Sequence, residues 1–140
     1  MDRRYDIVCK EARKRINGIE CILGMIDSGS DFHDSVIERF YVDTVSEVLT
    51  VDIGDVWDAE QEPAGRYRFI FRGYMEIDLD YDVGNSFTYE LRIYKEHRGD
   101  LLAVEFNSLH LKVVCSDIAV EENPYTDEEL EKYRTFPGKL

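Results

Sequence analysis

The chain has 140 residues, 44% hydrophobic and 12% aromatic, with only three prolines, a composition that fits one packed domain and excludes a disordered segment. Thirty acidic against seventeen basic residues give a formal charge of −13, which argues against nucleic acid as a direct ligand and makes a basic protein the charge-complementary partner. The imbalance is uneven, +2 over residues 1–20 and −15 over residues 21–140, and acidity that serves only solubility explains it equally well on charge alone.

The N-terminal stretch MDRRYDIVCKEARKR carries charges every few residues where a secretion signal needs an apolar run. No later segment reaches the ~20 apolar residues of a membrane span. Cys9, Cys21 and Cys115 are odd in number, lack CxxC spacing and sit in apolar patterns, as buried thiols of a reducing compartment do. The expectation is a soluble, cytoplasmic protein with no membrane contact.

Tyr5, Val8, Cys9, Ala12, Ile16, Ile19, Leu23 and Ile26 stand at helical spacing, which predicts a helix over residues 1–27. Asn17-Gly18 is the point where it can break, because that pair is also a hairpin signal and glycine costs about 1 kcal/mol in a helix. From Val36 the period changes to two, and Val36–Asp43 with Glu47–Ile53 form a predicted antiparallel pair. Residues 66–82 then hold one apolar phase, and a straight strand of that length, roughly 55 Å, exceeds the width of such a globule, so Gly73 is the predicted corner.

Phe87, Tyr89, Leu91 and Ile93 are the apolar phase of the next strand. Pairing it back on Ile77–Tyr81 requires an odd-length loop at Gly84 or Asn85 and sets Arg92 opposite Asp78 or Glu76. Leu102, Val104 and Phe106 return through an even-length turn containing Arg98-Gly99, and a phase slip at Asn107-Ser108 precedes Leu109–Cys115. Thr126-Asp127-Glu128-Glu129 is a capping box that opens a short helix over 126–134. The resulting fold class is α+β, a single domain over 1–140: an N-terminal helix packed on a curled, mainly antiparallel six- to seven-stranded meander over 32–120, with the short C-terminal helix.

Two clusters are candidate binding sites. Glu76, Asp78, Asp80 and Asp82 line one face of a strand; this is no calcium loop, because the required glycine and glutamate positions are Val83 and Tyr89. The face either protects a sheet edge or contacts a protein. Arg66, Arg68 and Arg72 make the other end of that strand basic. Trp57 stands among Asp55, Asp58, Glu60 and Glu62, the composition of an interface hot spot, although Val56 and Trp57 folding inward as a cap fits equally well. His33, His97 and His110 do not converge on a metal site, and no nucleophile elbow, phosphate loop or metalloprotease helix is present. No enzyme activity, metal or cofactor is expected.

Asp27-Ser28-Gly29-Ser30 after an apolar run resembles the active-site stretch of retroviral-type aspartic proteases, which would make Asp27 the catalytic carboxylate of a homodimer. Phe32-His33-Asp34-Ser35-Val36-Ile37-Glu38, followed by paired strands and Phe71-Arg72-Gly73-Tyr74, resembles small bacterial proteins of the immunity-protein-50 type. That resemblance implies a β-rich fold and, for part of the family, neutralisation of a toxin by direct binding. The residues themselves also read as a turn, with Phe32 as an anchor, Asp34 or Ser35 accepting local N–H groups, and His33 oriented by an aspartate for packing or binding. The expected function is therefore a non-enzymatic binding protein, an immunity protein occupying a basic toxin through the Trp57 loop and the Asp78–Asp82 face. A barrel-like protein binding a small ligand in an apolar internal cavity is the alternative, and the protease a weaker one.

Overall fold

The computed structural model describes residues 9–27, 36–56, 65–80, 91–97, 99–106 and 111–135. Its first half contains α1 (Lys10–Arg13), β1 (Ile16–Asn17), α2 (Glu20–Asp27), β2 (Val36–Asp43), β3 (Val48–Val56), β4 (Gly65–Arg72) and β5 (Glu76–Asp78). There follow β6 (Leu91–Lys95), β7 (Leu102–Phe106), β8 (Leu111–Cys115), β9 (Asp117–Glu122) and α3 (Asp127–Thr135). None of the described helices is long and apolar enough to cross a membrane.

The continuous N-terminal helix expected from the apolar spacing is not formed. The chain leaves α1, runs parallel to β9 as β1, with Ile16 opposite Ile118 and Asn17 opposite Ala119, and only then enters α2. Gly18 makes this possible: its φ is +77°, and a Cβ there would collide with the Val120 carbonyl oxygen. Ile22, outside the predicted apolar pattern, is fully buried, while of the predicted positions Ala12, Ile16 and Ile19 are buried and Leu23 is partly so. Their spacing reports which residues face the core, a demand that two short helices and a bridging strand meet as well as one helix.

The strands form two sheets rather than one curled meander. β1-β9-β4-β3-β2 is five-stranded and mixed, since only the β1–β9 pair is parallel; β5-β8-β7-β6 is four-stranded and antiparallel. Two stretches of chain serve both. β4 turns at Gly73, φ +63°, into β5, and β8 turns at Ser116 into β9. The Ser116 amide donates to the carbonyls of Arg72 and Gly73 at 3.1 and 3.2 Å, and the Met75 amide to the Val114 carbonyl at 2.7 Å, so the two bends are stitched side by side. Gly73 is thus the corner that the length of the apolar run demands.

The pairing beyond the corner differs from expectation. β5 lies against β8, with Asp78 opposite Lys112, while β6 is three strands away at the other edge. The bent β4–β5 run keeps the neighbour it already has in β9–β8, so no partner needs to be exchanged at the turn. The β2–β3 and β6–β7 pairs form as the alternation predicts, the second closing through a turn that contains Gly99 at φ +61°. The core is Phe69, Phe71, Phe106, Leu49, Ile53, Leu91, Ile93 and Leu102, all fully buried, with Phe69 edge-on to Phe106 at 5.4 Å between ring centres.

Candidate binding surface

Alternation puts Leu49, Val51 and Ile53 of β3 into the core and Asp52 on the opposite face. There the register lines up Arg39, Asp52, Arg68 and Glu121 across β2, β3, β4 and β9, a row of alternating sign. Arg68 grips Asp52 with both prongs, Nε to Oδ1 at 2.8 Å and Nη2 to Oδ2 at 3.2 Å. Arg39 stands 3.9 Å from Asp52 and Glu121 3.8 Å from Arg68. Asp52 is only 1% exposed, an allowable position for a carboxylate because it is paired and doubly hydrogen-bonded.

Nearer the C-terminal helix the same face holds Arg66, 5% exposed. Its Nη1 and Nη2 bond the two oxygens of Glu129 at 2.5 and 2.9 Å, Nε bonds the Asn123 carbonyl at 2.8 Å, and its guanidinium lies 4.5 Å from the centre of the Tyr125 ring. The Tyr125 hydroxyl donates to the Glu38 carboxylate, itself 3.6 Å from Arg66. Glu129 also completes the capping box, accepting from the Thr126 amide at 3.1 Å while its own amide donates to Thr126 Oγ1 at 3.1 Å. The Arg66 hydrogen bonds hold the Glu129 carboxyl down at about 2. Arg66 and Arg68 are held above their ordinary values, first by the hydrogen bonds to Glu129 and Asp52. These arginines therefore anchor α3 and the sheet; they are committed internally.

The four-stranded sheet repeats the arrangement. Arg92, Glu105, Lys112 and Asp78 occupy one row across β6, β7, β8 and β5. Arg92 therefore does not stand opposite Asp78 or Glu76 as the sequence predicts; Arg92 and Asp78 occupy the two ends of the row, with Glu105 and Lys112 between them. Beside this row the Tyr94 hydroxyl donates to Glu105 at 3.0 Å, and burial, followed by that bond, pushes it up to about 12.

Glu76, Asp78 and Asp80 are exposed at this edge, and Leu79, between the two aspartates, packs against the core. Leu79 meets the first half of β2 across a cleft of about 260 Å³ lined by Ile37, Glu38, Arg39 and Phe40. Along β2 and its turn, Tyr41 (65% exposed), Val42 (37%) and Val45 (94%) continue as exposed apolar side chains. Sequence reasoning named Asp78 and Asp80 and the strand Val36–Asp43, but did not single out that strand as part of a surface. The signal available was the uninterrupted Phe40-Tyr41-Val42, three apolar residues in a row in the strand VIERFYVD.

The other sequence candidates fall elsewhere. Trp57, Asp58, Glu60, Glu62, Asp82, Phe32, His33, Asp34, Ser35 and His110 lie outside the described residues, and Asp55 is placed only as a backbone position of β3. His97 is exposed beside the β6–β7 turn. No group of three or more histidine, cysteine or carboxylate side chains with metal-binding geometry occurs among the described residues. Asp27 closes helix α2, whereas the protease resemblance places that residue after a strand. No protein-family model matches the chain, and neither a curated protein nor a solved structure matches it.

Proposed function

We propose that this is a non-enzymatic binding protein that covers a basic protein surface, with Asp78 and Asp80 around Leu79 as the contact. The observation that carries this reading is the unequal fate of the charges. Arg66 and Arg68 are locked to Glu129 and Asp52 inside the fold, while Asp78 and Asp80 stand exposed on either side of Leu79, which lines a cleft with Ile37, Glu38, Arg39 and Phe40. A carboxylate rim around an apolar patch steers a cationic partner and then offers it area to bury. By the resemblance of residues 32–38 to immunity proteins, the partner is a basic toxin and binding neutralises it.

The test is a pull-down from the producing cells with wild type and with Asp78→Asn/Asp80→Asn, followed by reconstitution of any retained protein from pure components. A basic protein bound stoichiometrically by wild type, and released by moderate salt or by the double substitution, is the expected result. If nothing basic is retained at low salt, the reading is wrong.

A further inference from the structure

We infer that the partner docks by strand addition: an extended segment with alternating basic and apolar side chains pairs with the outer edge of β2 over Arg39–Asp43. This rests on the binding function proposed above and specifies its mode. β2 ends the five-stranded sheet, and among the described residues no strand pairs with its outer side. An edge of this kind presents a row of backbone donors and acceptors, and proteins normally blunt it with charges or a bulge. Here a bulge blunts one half, while the other is flanked only by single charges, Asp43 at one end and at the other Arg39, which stands 3.9 Å from Asp52 and 4.0 Å from Glu129. The β2–β3 register shifts between Ile37 and Arg39, with Glu38 as the extra residue, so the first part of the strand is bent. Beyond it, Arg39 to Asp43 pairs regularly with Asp52 to Val48, and the three central residues, Phe40, Tyr41 and Val42, are uncharged.

The two faces of that edge dictate what fits. Phe40 and Val42 pair with Val51 and Leu49, so they point to the core side. A partner side chain placed beside them enters the cleft between Phe40 and Leu79 and should be apolar. Tyr41 and Asp43 point to the outer face, Tyr41 65% exposed. Asp43 accepts hydrogen bonds from the Val45 and Ser46 amides at 3.0 and 3.2 Å, which fixes its carboxylate at the end of the strand. A partner side chain beside these two meets an aromatic face and an anion, a setting for lysine or arginine. Alternation along an extended partner delivers both kinds of side chain at once. A second copy of this chain does not meet the requirement, since two bodies of charge −13 repel.

The probe is a short synthetic peptide alternating lysine and valine, titrated into the isotope-labelled protein, alongside the same peptide N-methylated at every internal residue. Methylation keeps charge and side chains but removes the backbone donors. Binding with amide shifts concentrated on residues 39–43, weakened about tenfold or more by methylation, is expected for lost backbone pairing. Equal binding of the two peptides, shifts that map elsewhere, or no binding up to millimolar concentration overturns strand addition. None of these touches the proposed function, which the pull-down decides separately.

Discussion

The Tyr125 hydroxyl donates to the Glu38 carboxylate directly over Gly54, in the space a side chain at position 54 would occupy. Glycine at this place lets the chain after β9 close onto β2 and β3 and brings Tyr125 over Arg66. Gly54→Ala should therefore cost about 1–2 kcal/mol, because the Glu38 carboxylate must swing aside and give up its bond to Tyr125. In a Glu38→Ala background the same change should cost roughly half as much, since its main obstacle is gone. Urea unfolding of the four variants measures both numbers, and strictly additive costs would show that the crowding is not at Glu38.

Glu129 supplies a pH signature. Its carboxyl sits at about 2 in the folded protein against an ordinary 4.5, held down first by the Arg66 hydrogen bonds and then by the Thr126 amide. A folded value below the unfolded one means stabilisation that is complete above the ordinary value and is lost as the pH falls from there towards 2. Glu129→Gln should therefore be less stable than wild type near neutrality and approach it in acid. Chemical denaturation of both proteins between about pH 6 and pH 2.5 tests this; a gap that stays constant would mean that Glu129 does not titrate against Arg66.

The thiols provide a third check. Cys115 is fully buried and its thiol is pushed up to about 12, first by burial and then by Asp117; burial likewise raises Cys21 to about 11. Neither is a reactive thiolate near neutrality. In native protein at mildly alkaline pH, iodoacetamide should leave Cys115 unmodified until denaturant opens the core, as peptide mass spectrometry would reveal. Alkylation at the rate of the unfolded chain would contradict the packing of β8.

The features legible in the sequence are those written by local chemistry. Alternation locates β2, β3, β6 and β7, the length of the apolar run requires a bend at Gly73, and Thr126 with Glu129 spells out a reciprocal cap. What the sequence leaves open is which strand lies beside which. Alternation fixes a strand's buried face but not its neighbour, so the insertion of β9 between β1 and β4, and of β8 beside β5, has no local signature. The charge rows follow from that hidden register. Asp52 reads as an ordinary outward position of β3 until β4 sets Arg68 across from it, and Glu129 reads as a cap until the fold brings Arg66 within reach.

β4 with β5, and β8 with β9, are single runs of chain that belong to both sheets, joined hydrogen bond by hydrogen bond through Gly73 and Ser116. Neither sheet can be peeled away while the other stays whole, because the runs β4–β5 and β8–β9 continue from one into the other. Among the described residues the two sheets therefore have no seam between them that leaves both intact, and disorder at the corner spreads to both. Whatever grips the β2 edge thus pulls against the stability of both sheets, not of one.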